Sequence, residues 1–100
     1  MKWLYLPAMF FTLISAAVTQ AQPVKIANGE WLPYQSEQLK HGGFITQFTR
    51  EVFEAAGYDV EFSYLPWKRG FEEAKMGKFD GSIIWSKNDE RAEFFLFSDP

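Results

Sequence analysis

No cysteine occurs in the 100 residues. That absence excludes disulfides, and it excludes a lipid anchor attached through a cysteine at a processing site. There is a single histidine, His41, beside Gly42-Gly43, and it has no partner at metal-ligand or nucleophile–base spacing. Basic clusters are missing as well: ten basic residues against thirteen acidic ones give a net charge of -3. Such a chain has no electrostatic footprint for nucleic acid. Gly42-Gly43 lacks the remaining spacing of a phosphate-binding loop. Glu72, Glu73, Asp80, Asp89 and Glu90 show no pairing that would assign acid and base roles. The expectation is a protein with no catalytic residue, no metal and no cofactor.

The chain does carry an apolar leader. Lys2 gives a positive start, residues 3–18 are apolar apart from Thr12 and Ser15, and Thr19-Gln20-Ala21 places small residues where a signal peptidase cuts. Residues 1–21 are therefore expected to be a cleaved signal peptide that exports residues 22–100 to the periplasm. A membrane anchor needs about 20 predominantly apolar residues, and Thr12, Ser15, Thr19 and Gln20 interrupt this run. Loss of Lys2 leaves nine basic residues against thirteen acidic, a net charge of -4. The chain ends at Ser98-Asp99-Pro100 without a closing element, so residues 22–100 are expected to be the first part of a longer domain.

Residues 24–27 alternate apolar and polar and predict a strand, ended by the turn pair Asn28-Gly29. A long loop with Trp31 and Tyr34 follows. Over 44–56 the residues Phe44, Phe48 and Val52 recur four apart and predict a helix with that stripe inward, closed by Gly57. Alternation over 58–64 predicts a second strand. Leu65-Pro66-Trp67 breaks it, and 68–76 predicts a short helix with Phe71, Ala74 and Met76 inward, stopped by Gly77. Residues 79–85, with Ile83, Ile84 and Trp85 as a continuous apolar run, predict a third, central strand. A helical turn over 89–92 and a further strand over 94–97 complete the reading. Strand, helix, strand, helix, strand argues for an α/β fold with a parallel sheet and flanking helices.

In such a sheet, ligands bind beyond the carboxyl ends of the strands. Those ends are followed here by the loops of Trp31, of Trp67 and of residues 86–91. Arg91 is the leading candidate, because its guanidinium offers a rigid fork of donors matched to a carboxylate. A surface pairing with Glu90 or Glu93 is its plainer alternative. Ser86 could add a hydroxyl to the same group or serve only as a turn residue. Trp31, Tyr34 and Trp67 could stack on a ligand or on its cation, or simply pack their own loops.

Several motifs carry a resemblance. G-E-W-L-P-Y at 29–34, G-G-F at 42–44, E-V-F-E-A-A-G-Y-D-V at 51–60, P-W-K-R at 66–69, G-K-F-D-G at 77–81, and E-R at 90–91 with F-S-D-P at 97–100 resemble the bacterial extracellular solute-binding proteins of family 3. The resemblance implies the first lobe of a two-lobe periplasmic binding protein fold, type II, closing on its ligand by a hinge motion. It also implies a monomeric receptor that takes a small polar ligand, an amino acid or related solute, to the membrane permease of an ABC importer. By resemblance, Arg91 holds the ligand carboxylate, Trp31 covers the ligand, Trp67 forms a wall and Ser86 adds a polar contact. Ile83, Ile84 and Trp85 stand where amino-acid receptors often have small hydroxyl residues, and Ile45 and Gln47 stand where acidic residues are usual. These departures widen the expected ligand from an amino acid to a carboxylate. The alternative is a sensing or targeting module of a larger exported receptor or cell-wall enzyme.

Overall fold

The computed structural model describes residues 22–100, so the signal-peptide reading of 1–21 lies outside the described residues. Strand β1, Val24–Asn28, is the middle of a three-stranded sheet. Strand β2, Val60–Tyr64, pairs with it in parallel along its whole length, Val24 opposite Val60 and Asn28 opposite Tyr64. Strand β3, Gly81–Ser82, pairs in parallel on the other side through Ile26 and Ala27. Helix α1, Phe44–Ala55, links β1 to β2, and helix α2, Trp67–Lys75, links β2 to β3. The fold is the expected α/β arrangement, a parallel sheet with flanking helices.

The two helices cover opposite faces, as the alternation of β1 shows. Side chains of successive strand residues point to opposite sides. Ala27 faces α2, where Gly70 is so close that a Cβ added to it would lie 3.5 Å from the Ala27 Cβ. Asn28 faces α1 and donates to the Thr46 hydroxyl at 3.0 Å. Small residues at Ala27 and Gly70 thus let α2 settle tightly on the sheet. The apolar core is compact: Ile26, Ala27, Val60 and Ala74 are buried, and burying Ile26 contributes about 1.5–3 kcal/mol.

Helix α1 docks through a different face from the one its periodicity predicts. Thr46 is its buried residue, while Phe44, Phe48 and Val52 are 74%, 59% and 51% exposed. The cause is polar. The buried Asn28 amide and the Tyr64 hydroxyl both need partners, and Thr46 Oγ1 serves both, at 3.0 and 2.9 Å. One turn on, the Arg50 guanidinium lies 5.1 Å above the Phe62 ring and donates to the Val60 carbonyl at 3.0 Å. Hydrogen-bond satisfaction therefore sets the rotation of the helix.

The third strand is much shorter than the apolar run suggests. Asp80 opens it, donating its N–H to the Lys25 carbonyl and accepting the Lys25 N–H on Oδ2, both at 2.8 Å. Pairing ends at Ser82, because Ile84 adopts φ +65°, which takes the chain out of the extended region. Residues 94–97 form no strand; Phe95 packs 5.0 Å from Phe71, and Leu96 is fully exposed. Met76 is also exposed, one residue beyond the last turn of α2. Helix α3, Asp89–Ala92, forms where expected, capped by Asn88 Oδ1 accepting the Arg91 N–H at 2.7 Å.

Candidate functional site

Because the strands are parallel, the residues that follow them emerge along one edge. After β1 come Gly29, Glu30 and Trp31; after β2 come Leu65, Pro66 and Trp67; after β3 come Ile83, Ile84, Trp85 and the turn to Arg91. At this edge Trp31, Trp67, Ile84, Trp85, Ser86 and Arg91 line an open cleft of about 430 Å³. That volume falls within the range of small-ligand pockets, about 300–1,000 Å³.

The wall that carries Trp31 is fastened by buried polar groups. Gln35 Nε2 donates to Asn28 Oδ1 at 2.6 Å and to the Gly29 carbonyl at 2.7 Å. Asn28 Oδ1 also accepts the Gly29 N–H at 3.0 Å. Trp31 and Gln35 exchange backbone bonds at 2.9 and 3.0 Å, closing the intervening residues into a tight loop. Tyr64 extends the network by donating to the Gly42 carbonyl at 3.0 Å. Asn28, Gln35 and Thr46 are the largest fully buried side chains, all polar and nearly all paired, with Gln35 Oε1 the exception among the described residues.

Trp67 occupies the first position of α2, where its indole lies against Gly29 and its Nε1 donates to the Glu30 carbonyl at 3.1 Å. Trp85 stands edge-on to it, with ring centroids 5.7 Å apart and planes at 84°. Phe71 supports Trp85 from α2 at 5.0 Å. Trp85 Nε1 donates to Ser82 Oγ at 2.8 Å, and Ser82 in turn donates to the Ala27 carbonyl at 2.9 Å. The indole is thereby tied back to the central strand.

Arg91 sits across Trp85, its guanidinium carbon 5.0 Å from the ring centroid. One nitrogen, Nη1, donates to the Ser86 carbonyl at 2.8 Å and to Ser86 Oγ at 3.0 Å. Among the described residues Arg91 forms no ion pair; Glu90 and Glu93 leave it free, and the ion pairs present join Glu73 to Arg69 and Lys78. A half-buried guanidinium tethered to Ser86 and, among the described residues, without a carboxylate partner is a ready receptor for an anion.

The structure brings together Trp31, Trp67, Ser86 and Arg91 from the sequence-derived set. Tyr34 is not on the cleft wall; it packs against Trp31 with centroids 4.6 Å apart and supports it from behind. Ile84 and Trp85, strand residues by their apolar run, line the cleft instead. The signal for Trp85 is its place at the boundary between an apolar run and a polar turn, and nothing in the local sequence marks the positive φ of Ile84.

No curated protein and no solved structure matches the chain significantly. A cleft at the carboxyl edge of a parallel sheet, walled by indoles and holding an arginine that is unpaired among the described residues, is suited to capture of a small solute. In agreement, the model of the bacterial extracellular solute-binding proteins, family 3, matches residues 25–100, and the chain belongs to that family of solute binders that act outside the cytoplasm.

Proposed function

We propose that the protein captures a small carboxylate-bearing ligand in the periplasm and delivers it to the permease of an ABC importer, working as a monomer and performing no chemistry on the ligand. Residues 1–21 act as the cleaved signal peptide, and residues 22–100 supply the N-terminal part of the solute-binding domain, most of its first lobe. The observation that carries the reading is Arg91: its guanidinium faces the cleft, is held at one nitrogen by Ser86, and has no acidic partner among the described residues. A ligand carboxylate that accepts from the remaining nitrogens forms a charge-assisted pair, worth about 1.5–3 kcal/mol net. Trp31 and Trp67 shield that pair from water, and the shielding strengthens it.

Calorimetric titration of the protein with a panel of small carboxylates tests the reading. Arg91→Ala is expected to abolish binding of whichever carboxylate the protein takes. An unchanged affinity would overturn the assignment.

A further inference from the structure

Arg91 rests on an indole, and that indole is held by a residue outside the cleft. The chain of contacts starts at Ala27, a fully buried residue of the central strand. Ser82 donates its hydroxyl proton to the Ala27 carbonyl at 2.9 Å, and its oxygen accepts the Trp85 Nε1 proton at 2.8 Å. No other placement of that proton serves both neighbours, because a carbonyl only accepts and an indole N–H only donates. Ile84, at φ +65°, turns the chain so that Trp85 reaches back three residues to make the bond. The guanidinium carbon of Arg91 then lies 5.0 Å from the centroid of the same ring. Ser82 itself does not line the cleft.

Packing and hydrogen bonding hold Trp85 in different ways. Phe71 at 5.0 Å and Trp67 at 5.7 Å bound the space that the indole fills, but apolar contacts are non-directional and do not by themselves select one orientation of the ring. The Nε1 bond selects it, because the ring has a single polar atom and Ser82 is where that atom points. The face presented to Arg91 follows from this orientation, and a guanidinium restrained on that face before an anion arrives loses less freedom on capture. We propose that Ser82 is a positioning residue of the anion site: by fixing Trp85 it sets where the Arg91 guanidinium lies, without touching the ligand. Its part in capture rests on the reading of Arg91 as the carboxylate receptor, whereas its hold on Arg91 does not.

Nitrogen–proton correlation spectra of the protein read both ends of this relay. One signal is the Nε1–H of Trp85, assigned by its loss in Trp85→Phe. The other is the Nε–H of Arg91, assigned by its loss in Arg91→Lys and displaced by the ring current of the indole beneath it. Ser82→Ala is expected to move both signals toward their positions in an unstructured chain. Ser82→Thr, which keeps the hydroxyl on a residue suited to a strand, is expected to restore them. Ser82→Val, matched to threonine in shape but without the hydroxyl, is expected to behave as Ser82→Ala and replaces it if that variant does not fold. Acetate is the binding probe, because it carries the carboxylate with no larger body for other walls to fit. Its affinity, followed at the Arg91 signal, is expected to be about three- to tenfold weaker without the hydroxyl, the factor that one hydrogen bond is worth. A lower urea midpoint with the Arg91 signal unmoved would mark Ser82 as merely structural and overturn the proposal, and so would equal acetate affinity in Ser82→Thr and Ser82→Val. If acetate moves the Arg91 signal in none of these proteins, or if calorimetry shows its binding surviving Arg91→Ala, the capture reading falls, while the hold of Ser82 on Arg91 stands or falls on the spectra without acetate.

Discussion

The indole of Trp67 lies so close to Gly29 that a Cβ built there would sit 2.5 Å from Cδ2 and 2.7 Å from Cζ2. The two residues follow different strands, β1 and β2, so their contact joins two walls of the cleft. Gly29 is required here for the space it leaves, because ring atoms of a tryptophan held by its Nε1 bond to Glu30 cannot swing aside freely.

Gly29→Ala is accordingly expected to push Trp67 off its seat and to destabilise the fold by about 1–3 kcal/mol, the usual cost of overpacking. Urea unfolding gives the stability, and the emission of Trp67 reports the displacement. A wild-type midpoint with unchanged emission would show that the indole can move at no cost.

Asn28→Ala is expected to be destabilising through a different route. It strips a partner from Gln35 Nε2, the Gly29 N–H and Thr46 Oγ1 at once. Each buried polar group left without a partner costs about 1–3 kcal/mol, although Gln35 and Thr46 retain the Gly29 carbonyl and the Tyr64 hydroxyl. A loss of at least about 2 kcal/mol in denaturant unfolding is the expected result. A loss below about 0.5 kcal/mol, the range of an ordinary surface substitution, would contradict the network.

Ile84→Asn is expected to stabilise the protein while weakening its ligand binding. A β-branched residue at φ +65° is strained by about 1–3 kcal/mol, and asparagine tolerates that conformation far better. Yet Ile84 lines the cleft, so a ligand held there as proposed would lose an apolar contact. Thermal unfolding should rise as affinity falls; a lower melting temperature would show that Ile84 is not held under strain.

Much of this arrangement is legible in the sequence, and the reason is topological. Strand–helix–strand order fixes a parallel sheet, and a parallel sheet puts the residues after each strand on one edge; Trp31, Trp67, Ser86 and Arg91 meet there for that reason alone. The rotation of α1 is not legible, because an apolar stripe of Phe44, Phe48 and Val52 says that a face is apolar without saying what covers it. The face that docks is chosen by Asn28, Gln35, Thr46 and Tyr64, polar residues that satisfy one another in the interior and that a hydropathy pattern assigns to the surface. The end of β3 is hidden for a related reason. Ile83-Ile84-Trp85 has the composition of a buried strand, and only the backbone turn at Ile84 and the bond from Trp85 back to Ser82 convert it into a cleft wall.

The two sides of the cleft differ in how firmly the backbone is held. Around Trp31 the chain is pinned by the Trp31–Gln35 backbone pair, the Ser36 N–H on the Gly42 carbonyl and the amide of Gln35 beneath. Across residues 84–87 no backbone group bonds to another among the described residues, and Arg91 holds the Ser86 carbonyl by its side chain alone. Amide hydrogens on the first side are therefore expected to exchange slowly and those of 84–87 quickly. An anion that drew Arg91 toward itself, as proposed, would adjust the second side against a fixed first one, and the ordering entropy of such a capture would be concentrated in a few residues beside that charge.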